Sequence, residues 1–362
     1  MGTDSFWFLT EEICRLRRQN AQDFQLNDTD TDTSPRSKSR NAPAGTSPFQ
    51  VLAEALPQEK FADPEWTAKG ERRASVPMTG LETLWFNTGT LCNLACVNCY
   101  IESSPTNDAL LYISRAHVTR FLDEIEADQI GTTEIGYTGG EPFMNPEFVA
   151  ILTDTLERGF DALVLSNAMK PMRRHEAALL DLKERFGDKL TIRVSLDHYT
   201  KDAHEAERGP RSWEPGTSGL KWLSDKGFSI AVAGRMLPSE TMDDARAGYG
   251  ALFAEMGICV DAADPMRMVL FPEMDEAKDI AEITTECWGI LNQNPADIMC
   301  ATSRMVVHRK GEGAPRVAAC TLIPYDDGFD MGATLAEASR DVSLNHPHCA
   351  RFCVLGGASC SA

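Results

Sequence analysis

The stretch Leu81-Glu-Thr-Leu-Trp-Phe86-Asn-Thr-Gly-Thr-Leu-Cys92-Asn-Leu-Ala-Cys96-Val-Asn-Cys99-Tyr100 joins a short apolar run to a turn segment and three closely spaced cysteines. Glu82–Phe86 reads as a buried strand, and Asn87-Thr88-Gly89-Thr90 as the tight turn that ends it. A loop on the strand's carboxyl end therefore presents three sulfurs together. Their short, uneven spacing suits thiolates wrapped around one iron-sulfur cube, whose fourth iron then lacks a protein ligand and is open to chemistry. Zinc is a competing reading, for which His198 or another distant group would have to supply a fourth ligand. Three unrelated thiols are the remaining one.

Outward from this point, short apolar runs alternate with longer amphipathic ones, the signature of parallel strands crossed by helices. Strands are expected at Glu82–Phe86, Glu134–Tyr137, Ala162–Leu165, Leu190–Leu196, Ser229–Ala233 and Met266–Phe271. Helices are expected at Arg115–Ala127, Pro146–Glu157, Arg173–Phe186, Gly219–Lys226 and Thr241–Met256. Six such units are too few to close an eight-stranded barrel, so the expected class is α/β with a partial (β/α)6 TIM-like barrel over residues 81–279. Right-handed crossovers place the helices outside and the strand ends that matter on one rim.

Beyond it, a helical run Ile280–Leu291 and a hairpin from Met305–His308 to Val317–Ala319 make residues 280–362 a small, cysteine-rich α+β extension. Ahead of the barrel, residues 1–48 form an amino-terminal segment whose Asn27–Ser47 stretch has the composition of a disordered linker. Residues 49–80 carry scattered apolar anchors suited to docking or to a lid.

A chain of 362 residues and 39.8 kDa buries a core without borrowing a partner. The 35 Lys and Arg against 54 Asp and Glu leave a net charge of −19, which repels phosphate backbones and acidic membrane surfaces and argues against nucleic acid as a substrate. No apolar run reaches a bilayer's span, and the first residues lack a signal peptide's apolar core, so a cytoplasmic protein is expected. In a reducing compartment, 11 cysteines point to metal or redox work more than to disulfides.

Other residues gather on the same rim. Thr138-Gly139-Gly140-Glu141-Pro142 follows the second strand, where the glycines permit close backbone approach and Glu141 can accept hydrogen bonds from an ammonium group. Ser166-Asn167 ends the third strand. Ser195 and Arg208 flank the end of the fourth and offer a hydroxyl and a guanidinium for ribose and carboxylate oxygens. Asp197, His198 and Tyr199 come next and are candidates for substrate contact or proton movement.

The C-x3-C-x2-C pattern of Cys92, Cys96 and Cys99, with Tyr100 directly after it and Gly139-Gly140-Glu141-Pro142 one strand later, resembles the radical S-adenosylmethionine (SAM) superfamily over roughly residues 81–271. That resemblance implies a [4Fe-4S] cluster whose open iron binds the amino and carboxylate groups of SAM. It implies reductive cleavage of SAM to a 5′-deoxyadenosyl radical, which takes a hydrogen atom from substrate, and an external one-electron reductant such as flavodoxin or ferredoxin. Gly139, Gly140, Glu141 and Pro142 would hold the methionyl amino group, and Ser166 and Asn167 would lie near the ribose.

Near the other end, Cys300, Cys320, Cys349, Cys353 and Cys360 offer five thiols for a second site. Their arrangement around a hairpin resembles the twitch and SPASM extensions, and their number fits one auxiliary [4Fe-4S] cluster better than two; structural zinc is the rival. Cys300, Cys320 and Cys353 are the leading ligands, with Cys349 and Cys360 competing for the last place. The expected function is a radical SAM oxidoreductase, or an enzyme modifying a peptide or a small polar metabolite. Epimerisation and a non-enzymatic zinc or iron-sulfur interaction protein are the alternatives.

Overall fold

The computed structural model describes residues 47–359. The expected linker up to residue 46, and Cys360, lie outside the described residues. A two-residue strand β1 (Ser75–Val76) precedes the main sheet. Then come β2 (Thr83–Asn87), β3 (Glu134–Thr138), β4 (Asp161–Ser166), β5 (Leu190–Ser195), β6 (Ser229–Arg235) and β7 (Met268–Phe271). These six lie side by side in chain order and all parallel, with helices in the connections. Each falls within two residues of its expected bounds. The register runs from Thr83 opposite Glu134 to Asn87 opposite Thr138, so the β2 and β3 ends emerge at the same height.

Every residue of β2 is buried, as expected of a strand covered by helices on one face and by the barrel interior on the other. The helix Arg115–Ala127 turns Val118, Phe121, Leu122 and Ile125 inward and starts on a capping box, with Ser114 Oγ accepting from His117 N at 3.2 Å. The helix Met242–Met256 has the same device at Thr241 and Asp244. Together these elements form the partial barrel that the alternation predicts.

The extension is joined to this sheet. Strand β8 (Ser303–Val307) pairs in parallel with the outer edge of β2, and β9 (Arg316–Ala318) and β10 (Asp330–Gly332) follow antiparallel, making nine strands in the order β10-β9-β8-β2-β3-β4-β5-β6-β7. The remaining strand, β11 (Val342–Ser343), pairs with β1.

Four helical expectations change, one of them because the helix expected at Gly219–Lys226 starts earlier, as Trp213–Asp225. Of the run Ile280–Leu291 only Cys287–Leu291 is helical. The preceding residues are held extended by the 49–80 segment: Glu282 accepts from Phe61 N at 2.7 Å and pairs with the buried Arg73 at 2.6 Å, and Thr284 bridges Arg73. Tertiary partners override the local helical pattern. The helix Arg173–Phe186 is divided into Lys170–Arg173 and Glu176–Phe186. A helix at Lys201–Arg208 was absent from the expectation because its buried residues are His204 and Glu207, which leave no apolar stripe to read.

Candidate active site

The turn that ends β2 is fastened to the end of β3. Gly89 N donates to Asn87 Oδ1 at 2.9 Å, the Thr88 hydroxyl donates to Thr138 O at 2.9 Å, and Gly140 N donates to Gly89 O at 2.8 Å. A Cβ on Gly139 would lie 2.7 Å from Gly89 O, and one on Gly140 would lie 2.3 Å from Leu91 O. Gly139 also has φ +140°. The two glycines thus allow the cysteine loop to lie against β3. Cys92, Cys96 and Cys99 line one cavity of about 180 Å³ at the carboxyl ends of the strands.

Leu94 N donates to Cys92 Sγ at 3.4 Å, and Ser103 N donates to Cys99 Sγ at 3.3 Å. Burial pushes the Cys92 thiol well up, with the Glu141 carboxylate adding to the effect. Cys96 is pushed up to about 12 by burial, against the pull of Arg208. Positive charge brought by a metal cluster would offset this and favour the thiolates of Cys92 and Cys96. Among the described residues, no three His, Cys, Asp or Glu side chains converge closely enough to hold a single metal ion. The donor set, three soft sulfurs from one loop around one cavity, suits an iron-sulfur cluster. Nor is His198 a fourth ligand, because its ring nitrogens face Thr200 Oγ1 at 2.7 Å and Glu240 Oε2 at 3.1 Å.

Within the glycine motif, Gly139 and Gly140 line the cavity. Glu141 is buried, and its carboxylate accepts from Ser166 Oγ at 2.9 Å, Asn167 N at 2.9 Å and Phe143 N at 3.3 Å. Burial raises it to about 7 despite these donors. Through these bonds the carboxylate clamps the end of β3 to the end of β4. Pro142 is buried behind it, opening the turn Pro142–Met144. Asn167 lines the cavity, and its amide donates to Asn93 Oδ1 at 2.9 Å, tying β4 to the cysteine loop.

Ser195, Asp197 and Arg208 also line the cavity. Arg208 grips Asp197 through Nε at 2.6 Å and Nη2 at 3.2 Å, and Arg235 approaches the same carboxylate at 3.5 Å. Burial alone would raise the Asp197 carboxyl, but Arg208 and Arg235 outweigh it and hold it at about 2. Asp197 is thereby held as the charged ion-pair partner of Arg208. His198 and Tyr199 stack on each other at 4.1 Å, and both hydrogen-bond Glu240. Neither is among the residues around the cavity, so the structure separates these two catalytic candidates from Asp197.

Sequence reasoning missed the network behind the cysteine loop. Glu207 Oε1 accepts from Asn98 N at 2.8 Å, and Arg235 Nη2 donates to Asn98 O at 3.1 Å. Arg235 also pairs with Glu273 at 2.8 Å and lies 4.8 Å from the Tyr100 ring centre. Its place at the end of β6 was the available signal; Glu207 had none, since its helix was not expected.

Cys300, Cys320, Cys349 and Cys353 line a second, closed pocket. Burial pushes Cys300 up to about 11 against the pull of Arg304, and burial with Cys320 and Cys300 nearby pushes Cys349 well above the usual thiol range. Cys353 and Cys349 lie in the π-helical turn Cys349–Val354. Leu322, two residues after Cys320, borders both this pocket and the first cavity.

The sequence profile of the Radical SAM superfamily matches residues 86–247. The subtilosin biosynthesis protein AlbA of Bacillus subtilis (strain 168) is 33% identical over 143 residues, covering 39% of this chain and 30% of AlbA. Mycofactocin maturase MftC of Mycolicibacterium smegmatis is 26% identical over 166 residues, covering 46% of this chain and 40% of MftC. The chain thus spans 30% to 40% of the length of these two relatives. In fold it is similar to Streptococcus suis SuiB bound to precursor peptide SuiA, with a TM-score of 0.51, 12% identity, and coverage of 75% of this chain and 66% of SuiB. No helix among the described residues is long and apolar enough to cross a membrane. Residues 86–247, over which the chain is similar to the Radical SAM superfamily, hold all three cavity cysteines and the glycine motif.

Proposed function

We propose that this chain is a radical SAM enzyme that modifies a peptide. Cys92, Cys96 and Cys99 would hold a [4Fe-4S] cluster, and SAM would lie against Gly139, Gly140, Asn167, Ser195 and Arg208, all of which border the same cavity. When bound, the cluster and SAM supply a 5′-deoxyadenosyl radical able to remove a hydrogen atom from substrate. The chain's own share is placement and exclusion of water. Trp85, Leu165, Phe271 and Phe352 give the cavity apolar walls, and the Asp197–Arg208 pair fixes a guanidinium beside it. Glu141 holds the two loops in register through Ser166 and Asn167.

Residues 81–279 are assigned as the catalytic barrel and residues 280–362 as a twitch-like extension. There, Cys300, Cys320, Cys349 and Cys353 would hold one auxiliary [4Fe-4S] cluster, whose chemistry includes accepting an electron and so favours net oxidation or bond formation. The four thiols border one pocket, which supports a shared site for them. The one-electron donor would be a flavodoxin or ferredoxin. AlbA and MftC are named for bacteriocin biosynthesis and mycofactocin maturation, and SuiB was solved with its precursor peptide; these relatives favour a peptide over a small metabolite.

The observation that carries the reading is the convergence of Cys92, Cys96 and Cys99 on a cavity walled by Gly139 and Gly140. Anaerobic reconstitution with iron and sulfide, followed by dithionite and SAM, tests it. The expected result is about eight irons per chain, for two cubes, and formation of 5′-deoxyadenosine. Protein that takes up only zinc and leaves SAM intact would overturn it.

A further inference from the structure

Arg304 lies on β8, the strand that joins the extension to the barrel sheet, and is 1% exposed. Elsewhere in the chain a buried arginine meets a carboxylate: Arg73 pairs with Glu282 at 2.6 Å, and Arg208 with Asp197 at 2.6 Å. No carboxylate hydrogen-bonds Arg304 among the described residues. Its guanidinium donates to backbone carbonyls alone, from Nε to Ala338 O at 3.0 Å, from Nη1 to Cys300 O at 2.5 Å and Ser303 O at 2.7 Å, and from Nη2 to Arg340 O at 2.7 Å. These bonds occupy its donors but leave its charge unbalanced. A buried charge without a counter-charge is costly.

The surroundings point to what balances it. The guanidinium touches the backbone of Cys300, and its partners Ala338 and Arg340 come just before Val342 in the chain. Cys300 and Val342 line the same closed pocket as Cys320, Cys349 and Cys353. Burial pulls the Arg304 guanidinium below the usual arginine range, the Cys300 and Cys320 sulfurs oppose that pull, and Arg340 and Asp341 act more weakly in opposite senses. A positive charge fixed behind these sulfurs suits a group that is negative when bound. An iron-sulfur cube on four thiolates is such a group, and it becomes more negative on reduction.

We propose that Arg304 is the counter-charge of the cluster in the extension and makes that cluster easier to reduce. This inference rests on the reading of Cys300, Cys320, Cys349 and Cys353 as the ligands of one cube. The step concerned is one electron taken up by the cube, from dithionite in the test, with no bond formed or broken. The guanidinium keeps its charge throughout. It therefore stabilises the reduced cube more than the oxidised one and raises the reduction potential.

The test uses the full-length chain carrying Cys92→Ala/Cys96→Ala/Cys99→Ala, reconstituted anaerobically, so that any cube signal belongs to the extension. Electron paramagnetic resonance follows reduction during a titration with dithionite and redox mediators. Adding Arg304→Gln should make the cube harder to reduce by about tenfold or more, equivalent to about 59 mV for one electron. Adding Arg304→Lys, which keeps the charge but not the planar fork, should change the equilibrium by less than about threefold. Equal shifts in the two variants would make the role of Arg304 one of packing and would overturn the inference, as would an unshifted Arg304→Gln. A measurement with Arg304 in place covers variants that do not fold: because the compensating charge is fixed, the reduction equilibrium should vary by less than about twofold between about pH 6.5 and pH 8.5. A change of about tenfold for each pH unit would show that a proton taken up with the electron, at His348 on the pocket wall or at a ligand sulfur, supplies the compensation, and would overturn it too. Uptake of zinc, or of no cube, in the chain with Arg304 intact would overturn the reading of the pocket itself. A cube whose potential ignores the charge at position 304 would overturn this inference alone.

Discussion

Asp197 and Arg208 form a two-point ion pair at the cavity wall, with Nε to Oδ2 at 2.6 Å and Nη2 to Oδ1 at 3.2 Å, and both side chains are nearly buried. Replacing one partner of such a pair leaves the other charge buried and uncompensated, which costs about 3 to 5 kcal/mol. Asp197→Asn should therefore lower stability by about that amount, because Arg208 and Arg235 both lose their shared counter-charge. Urea unfolding of the two proteins checks this; a loss below about 1 kcal/mol would show that solvent already screens the pair.

The same pair sets a pH dependence. The folded-state carboxyl of Asp197 is held at about 2, below the unfolded value, so the stabilisation is present above the unfolded value of about 4 and is lost as the pH falls towards 2. Between pH 4 and pH 2 the parent should lose more stability than Asp197→Asn. Parallel acid-unfolding curves would contradict the assignment.

Gly140→Ala places a Cβ 2.3 Å from Leu91 O and 2.7 Å from Leu91 C, so the turn before Cys92 must move. Overpacking of this kind costs about 1 to 3 kcal/mol. The expected outcome is a folded protein that takes up about half the iron of the parent, because only the first cysteine group is disturbed. Full iron content in this variant would mean that the loop accommodates the change.

Tyr199 bonds Glu240 and stacks on His198, away from the cavity. Tyr199→Phe should cost about 1 kcal/mol of stability and leave the rate of SAM cleavage within about twofold. A loss of cleavage well beyond that, with the cluster intact, would place Tyr199 in the chemistry after all.

How far the sequence could be read depends on what kind of signal each residue left. The strands carrying Trp85, Tyr137, Val164 and Val194 were legible because burial on both faces produces continuous apolar runs. The cysteine loop and the glycine pair were legible because short spacings bring them together without knowledge of the fold. Glu141 was identified from its motif, but the hydrogen bonds that it accepts from Ser166 and Asn167 join segments distant in the chain and are visible only in the fold. His198 and Tyr199 sit at the right place in the chain, yet the backbone after β5 turns them towards Glu240, a partner about 40 residues away. Glu207 and Arg235 belong to a polar network, and hydrophobic periodicity carries no information about such contacts. In the extension, sequence alone left Cys349 and Cys360 as rivals; Cys349 lines a pocket with Cys300, Cys320 and Cys353, and Cys360 lies outside the described residues.

That arrangement predicts that Cys349→Ala loses about four irons per chain, one cube, while the first cluster remains. Iron and sulfide analysis after anaerobic reconstitution checks it, and iron content equal to the parent's would remove Cys349 from the ligand set.

The most direct measurement is electron paramagnetic resonance of the Cys320→Ala/Cys353→Ala variant, reconstituted and reduced by dithionite, recorded with and without SAM. With the extension unable to assemble its cluster, one reduced [4Fe-4S] signal is expected from Cys92, Cys96 and Cys99, and SAM should change its shape by binding the open iron. A signal that SAM leaves unaltered, or no cube signal at all, would contradict a replaceable coordination position in this cavity.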